Sequence, residues 1–279
     1  MAVIEHEATL ERGGAPDIFY RVWQPGAPKG IVVIVHGSGE HSGRYQPTAS
    51  FLAENGYFVY ALDLRGQGRS QGLPGHVDRF DHYLDDIGAV LELARQRSTA
   101  PLFLLGHSVG GLLALTFGLR YPSGLAGVIA SGPCLALSLA VPPLKAAAGR
   151  LLSRLWPTLR LPSGIRSRDL ASDPEVGRRY SADPLVVRVV SARYYTELEQ
   201  AMAFVRGQAT TFARPLLILQ GADDRLVSSP AVREFFQAAG STDKTLEWYD
   251  GAHHELLNDY SGDRVRATIL DWLDRRVVL

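Results

Sequence analysis

The stretch that constrains this chain most is a compact apolar run, Leu102 to Leu105, which leads into Gly106-His-Ser-Val-Gly110 and then a second apolar segment ending at Tyr121-Pro122. Four successive apolar residues suit a strand buried on both faces, and the segment after Gly110 is long enough for a buried helix. A strand that becomes a helix within a few residues leaves no room for Cβ atoms where the two backbones cross. Glycine two places to either side of Ser108 removes them. The serine is thereby forced into a strained conformation at the head of the helix, its hydroxyl exposed and the helix dipole favouring negative charge nearby. The alternative is a Gly-rich turn that merely contains a serine. The rest of the chain decides between them by whether it supplies a base and an acid.

Strand and helix alternate over the first half. A hairpin forms around the Gly-Gly-Ala-Pro turn at 13–16, and β-branched or apolar runs at 30–35, 57–62, 102–105 and 127–131 read as strands. Helical patterns at 45–55 and 82–96, and after Ser108, separate them. This order predicts a mostly parallel sheet with helices on both faces, in which ligands bind beyond the carboxyl ends of the strands. His36, Asp63 and Ser108 all fall at or just past such ends.

The alternation stops after Ser131. Residues 134–210 hold no convincing buried strand but show helical patterns at 144–159, 175–180 and 185–206, around a Pro/Gly/Ser stretch at 161–167. Strands resume at 215–220 and 244–249, and a helix at 261–276 closes the chain. The expected organisation is a core formed by 1–133 and 211–279, with 134–210 inserted as a helical cap over the sheet's carboxyl edge.

Within that insertion, Leu144, Ala147, Ala148, Leu151, Leu152, Leu155, Trp156 and Leu159 recur at helical spacing, while Lys145, Arg150, Arg154 and Arg160 supply charge. No Asp or Glu occurs between Glu92 and Asp169. A basic amphipathic helix of this kind fits an element lying in a membrane interface. The same periodicity fits a helix packing its apolar side onto the body.

Composition narrows the field further. The 279 residues carry a formal net charge of zero, which gives no electrostatic footprint for nucleic acid. The one cysteine, Cys134, permits no internal disulfide and no cysteine-based zinc site, and it fits a reducing compartment. The N-terminus lacks the basic and apolar regions of a signal peptide, and no apolar run approaches ~18 residues. The expectation is a cytoplasmic protein without cofactor or metal, with peripheral membrane association through 144–159.

A serine nucleophile needs a base and an acid to orient that base, in the chain order Ser, Asp or Glu, His for this architecture. The loop after the strand at 215–220 offers Asp223 and Asp224. The Gly-x-x-Asp spacing favours Asp224, which can turn back toward the histidine loop, and leaves Asp223 as a turn-capping carboxylate. The loop after 244–249 offers His253 and His254, and spacing alone does not choose. Oxyanion donors are expected from the N–H of Val109 and from that of Ser38, in the loop after the third strand. His36 reads as structural, bonding loop groups beneath the site.

Taken together, His36-Gly-Ser-Gly-Glu-His-Ser-Gly-Arg-Tyr45, Asp63-Leu-Arg-Gly-Gln-Gly-Arg-Ser70, Gly106-His-Ser-Val-Gly110, Gln220-Gly-Ala-Asp-Asp-Arg225 and Gly251-Ala-His-His254 resemble the monoacylglycerol lipase family. Val141-Pro-Pro-Leu144 and Tyr180-Ser-Ala-Asp-Pro-Leu185 resemble its cap segments, so the likeness spans nearly the whole chain. It implies an α/β-hydrolase fold: a mostly parallel eight-stranded sheet, helices on both faces, and an inserted helical cap. It implies Ser108, Asp224 and His254 as the triad, which settles the choice of histidine, with Ser38 and Val109 forming the oxyanion hole. The implied substrate is a monoacylglycerol or similar single-chain lipid ester, cleaved to fatty acid and glycerol through an acyl-enzyme on Ser108, with the chain in an apolar tunnel under the cap. Glu40, Arg44 and Tyr180 match positions that help bind the glycerol head, and His107 is grouped with them as substrate-binding. The local alternatives are loop bracing for Glu40 and Arg44 and cap packing for Tyr180. One departure concerns the head group: animal members carry a histidine three residues after the catalytic one, where this chain has Leu257. Lysophospholipases and broad carboxylesterases share most of these motifs, and an inactive hydrolase fold kept for binding is the non-enzymatic alternative.

Overall fold

In the computed structural model, which describes residues 3–121, 123–138 and 141–277, the chain opens with strands β1 (Ile4–Leu10) and β2 (Ile18–Gln24), paired antiparallel as the expected hairpin. Then come β3 (Gly30–Val35), α1 (Gln46–Glu54), β4 (Tyr57–Leu62), α2 (Asp81–Arg97), β5 (Leu102–His107), α3 (Val109–Arg120) and β6 (Gly127–Ser131). Pro122, expected at the end of α3, lies outside the described residues. The segment after β6 contributes α4 (Pro143–Leu155), β7 (Arg160–Pro162), α5 (Pro174–Ala182), β8 (Val189–Ser191) and α6 (Ala192–Gly207). The main sheet resumes with β9 (Leu216–Gly221), α7 (Ser229–Ala238), β10 (Lys244–Tyr249) and α8 (Gly262–Val277).

Eight strands form one sheet in the order β1-β2-β4-β3-β5-β6-β9-β10, parallel from β4 to β10, with the hairpin added antiparallel at one edge. Side-chain alternation divides the interior into two cores. Ile31, Val33 and Val35 of β3 and Leu102 and Leu104 of β5 join a core with residues of α2, α3, α6 and α7. Val32, Ile34, Phe103 and Leu105 join the opposite one with α1 and α8. Central strands buried on both faces cannot alternate polar with apolar, which is why they read as unbroken apolar runs. This is the α/β-hydrolase arrangement the sequence implied.

Several details differ from expectation. Helix α7 went unread in the sequence. It begins at a capping Ser228, whose side chain accepts from the N–H of Ala231, and Pro230 occupies its first turn. The helical pattern at 185–206 begins only at Ala192, because 189–191 pairs with 160–162 in a separate two-stranded ribbon. All three residues of β7 are exposed, so no apolar run announces it.

Helix α4 shows which side of the amphipathic segment meets protein. It packs on α6 through its small residues: Ala146 and Ser153 are buried, Ser153 Oγ lies 2.7 Å from Thr196 Oγ1, and the Tyr195 ring comes close to Gly149. Leu152 is half-buried, but Leu144, Leu151 and Leu155 face solvent, at 83%, 57% and 74% exposed, as does Trp156 at the helix's C-terminal cap, at 59%. Leu144, Leu151 and Leu155 do not pack onto the body. No described helix is long and apolar enough to cross a membrane.

The crossing of β5 and α3 leaves no room for a side chain at Gly106 or Gly110. A Cβ built on Gly106 would lie 2.0 Å from the Gly110 carbonyl oxygen, and one on Gly110 would lie 2.1 Å from that of Val35. Both obstacles are backbone and cannot swing aside. Gly106→Ala is expected to reach or exceed the ~1–3 kcal/mol typical of overpacking. Gly207→Ala, at a site with open space around it, should leave stability unchanged or raise it. Urea unfolding of the two variants beside wild type checks the contrast.

Candidate active site

Ser108 joins β5 to α3 with φ of 56° and ψ of −117°, and it is the only non-glycine with positive φ among the described residues. Conformations of this kind persist only when surrounding bonds over-determine them. Here the Ser108 N–H donates to the Ser131 carbonyl at 2.8 Å, and its own carbonyl accepts from the N–H groups of Leu112 and Cys134, each at 3.0 Å. Val109 is the first residue of α3, where an N–H has no acceptor within the helix.

The loops leaving β9 and β10 bring Asp224 and His254 together. His254 Nδ1 lies 2.7 Å from Asp224 Oδ2. The other carboxylate oxygen, Oδ1, accepts from the N–H groups of Leu226 at 2.8 Å and Val227 at 3.0 Å. Gln220 Nε2 donates to Oδ2 at 3.1 Å. Burial alone would raise the Asp224 carboxyl. The charge of His254, its hydrogen bond and the two backbone donors outweigh burial and hold it below the usual range. For His254, burial acts to lower the imidazole, but Asp224, then Glu255 and Glu40, raise it above its ordinary value. Asp223 is exposed, and its N–H donates to the Ala252 carbonyl at 3.1 Å. His253 lines a different cleft, with Arg168 and Arg179.

Ser38 follows β3 in a loop held from beneath. His36 Nδ1 bonds the Gly37 carbonyl at 2.7 Å while Nε2 accepts from the N–H of Leu64 at 2.9 Å, which fixes a neutral ring. The Gly39 N–H donates to Gln67 Oε1 at 2.6 Å, and Asp63 accepts from the N–H groups of Ser42 and Arg69. The Ser38 hydroxyl accepts from Tyr194 of α6 at 2.8 Å. That contact was invisible in the sequence, where nothing local relates residues so far apart.

Ser38, Ser108, Val109 and His254 line one cavity of about 400 Å³, together with Glu40 and Tyr180. Leu137, Val141, Leu170, Leu198 and Val227 supply apolar wall. Two residues grouped as substrate-binding do not line it. Arg44 is enclosed between carboxylates: Nε donates to Glu40 Oε2 at 3.2 Å, Nη2 pairs with Glu255, and the guanidinium lies over the Tyr180 ring at 5.2 Å. A buried guanidinium needs such partners, and these turn it away from the cavity. His107 is drawn the other way, with Nδ1 donating to the Ser131 carbonyl at 3.1 Å and its ring 4.7 Å from that of His254. Burial and the neighbouring His254 push the His107 imidazole down to about 3, so it stays neutral. Glu255 was overlooked in the sequence. The acidic residue directly after His254 was its only signal. No group of His, Cys, Asp and Glu suited to a metal ion occurs among the described residues.

Comparison with known proteins places the chain in a family. The family model Hydrolase_4, described as serine aminopeptidase S33, matches residues 26–261. A monoacylglycerol lipase of Mycolicibacterium smegmatis is 33% identical over 266 residues, covering 93% of this chain and 94% of that protein. Phospholipase YtpA of Bacillus subtilis is 35% identical over 241 residues, covering 85% and 92%. The crystal structure of a monoacylglycerol lipase from Paleococcus ferrophilus superposes with a TM-score of 0.85 at 30% identity, over 99% of this chain and 100% of the other.

The Glu40–Arg44–Glu255 cluster is legible as bracing. Arg44→Met would leave two buried carboxylates without their shared cation and should cost about 3–5 kcal/mol. Adding Glu255→Gln to that variant removes one stranded charge and should recover part of the loss, as read from urea midpoints.

Proposed function

The chain belongs to the monoacylglycerol lipase family of α/β-hydrolases, and from that premise we propose that it hydrolyses monoacylglycerols to fatty acid and glycerol through an acyl-enzyme on Ser108. The observation that carries the reading is the strained Ser108 facing the same cavity as a buried His254–Asp224 pair.

In this mechanism Ser108 Oγ attacks the ester carbonyl while His254 Nε2 takes its proton. Asp224 accepts from Nδ1–H, which fixes the tautomer and stabilises the imidazolium as it forms. The N–H groups of Val109 and Ser38 serve the oxyanion. His254 then returns the proton to the departing glycerol oxygen. Water, deprotonated by His254, attacks the acyl carbon, and the carbonyl re-forms as the Ser108 oxygen leaves with the proton. The acyl chain takes the apolar wall, and the alcohol takes the end marked by Glu40 and Tyr180, with Arg44 and His107 acting behind them. Residues 134–210 act as the cap that closes this cavity, on a core formed by 1–133 and 211–279.

A second substrate, a lysophospholipid, is favoured by one feature. Lys145 and Arg225 line the same cavity and have no ion-pair partner among the described residues, leaving cationic charge that suits a phosphate.

A fluorophosphonate probe should label wild type and fail to label Ser108→Ala, and the variant should lose turnover of monoacylglycerol. Equal labelling of both would sink the reading. Rates on monoacylglycerol and lysophosphatidylcholine rank the two substrates. The base works only when neutral, and its pKa is raised above 6.5. Turnover should therefore fall as pH drops through a midpoint on the neutral side of that value.

The solvent-facing Leu151, Leu155 and Trp156, with Arg150 and Arg154 on the same helix, support peripheral membrane contact through α4. These apolar side chains lie outside the cavity lining. Replacing all three by serine or glutamine should weaken sedimentation with liposomes while turnover of a soluble ester holds. A parallel loss of both would count against the assignment.

A further inference from the structure

Strand β9 reads Leu-Leu-Ile-Leu-Gln-Gly, and Gln220 is its one polar side chain, fully buried at the carboxyl end. Three groups surround its amide nitrogen: the Gly221 carbonyl at 3.2 Å, Asp224 Oδ2 at 3.1 Å and Ser229 Oγ at 3.3 Å. A carbonyl and a carboxylate can only accept, so the amide must turn its NH2 toward them. The reversed amide would set an oxygen against both. The Asp224 atom it reaches is the one that takes the bond from His254 Nδ1.

We infer that Gln220 is a positioning residue for acyl transfer, fixing the Asp224 carboxylate against His254 by donating to Oδ2. This rests on the serine-hydrolase reading above. The Leu226 and Val227 N–H groups hold only Oδ1, so without Gln220 rotation about the Cβ–Cγ bond is resisted at Oδ2 by the His254 bond alone. A second donor on Oδ2, coming from the strand rather than from the loop, stops that rotation. The four donors also occupy both oxygens of the carboxylate, so its charge remains available to the imidazolium. A purely mechanical tie between β9 and α7 would need only the contact with Ser229, the first residue of α7.

The titratable and charged groups around the pair are known. Glu255 adjoins His254, and His107 faces it from the end of β5. Cys134 lies near Asp224, and Glu40 and Arg44 lie beyond, after β3. None of these donates a hydrogen bond to Oδ2, so none can replace the amide.

Two substitutions separate positioning from structure. Gln220→Leu removes the donor at every pH. It should lower kcat by about ten- to a hundredfold, the scale of a small misplacement of catalytic groups, with KM for a soluble short-chain ester little changed. Gln220→Glu keeps size and shape. Beside Asp224 in a buried site its carboxyl stays protonated near neutrality and donates as the amide did. As pH rises it ionises and repels Asp224. That variant should work near neutral pH and lose activity on the alkaline side, over a range where wild type holds its plateau.

The measurement is kcat and KM against pH on p-nitrophenyl butyrate, with fluorophosphonate titration counting competent sites and thermal unfolding checking the fold. Wild-type kcat per titrated site in Gln220→Leu, or a Gln220→Glu profile shaped like wild type, would overturn the inference. So would losses that merely track the fraction of folded protein. Turnover surviving Ser108→Ala would be a different failure, that of the serine-hydrolase reading itself.

Discussion

The close passage of β5 and α3 governs the rest of this structure. A strand can hand over to a helix in so few residues only if no side chain stands between the two backbones, and Gly106 and Gly110 meet that condition against the carbonyls of Gly110 and Val35. The serine between them is left with φ of 56°, a conformation that costs about 1–3 kcal/mol. Three backbone hydrogen bonds to β6, α3 and the first residue of the insertion hold it there. The strain thus places one hydroxyl at the head of a helix, above the middle of a parallel sheet.

Parallel order then determines where everything else can act. With β3, β5, β6, β9 and β10 all pointing the same way, their following loops converge on one edge, and residues far apart in the chain become neighbours there. The buried charges at that edge are few, and each has partners. Asp224 has donors on both oxygens. Arg44 is shared between two glutamates. His36 is kept neutral by burial and by the Leu64 N–H on its Nε2, and His107 by burial and the neighbouring His254. A carboxylate in such surroundings holds its orientation, which is what a general base needs from the acid behind it.

The insertion obeys a different rule. Its helix α4 packs within the insertion on α6 through Ala146, Gly149 and Ser153, small enough to let α6 approach, while three leucines and Trp156 point outward among arginines. Periodicity showed that one side of this helix was apolar, but it could not show whether that side faced the protein or the solvent. Hydrophobic residues on an amphipathic helix need an apolar partner, and a protein body and a lipid surface satisfy the same pattern. The position of α6 decides only that the small-residue side is covered and the leucines are left exposed.

Local sequence is enough to read the central strands, the turn around Ser108, and the loops carrying Asp224 and His254. Each of these is a local matter of apolar runs, glycine spacing and chain order. It missed α7, where a capping serine and Pro230 were the only local cues. It could not show that Arg44 pairs with Glu255 and His107 with the Ser131 carbonyl. The contact of Gln220 with Asp224 was four residues away in the chain and still unread, because spacing does not say which way an amide points. Tertiary structure decided those questions. A polar side chain's direction is set by whichever donors and acceptors surround it once water is gone, and those come from elements the local sequence does not contain.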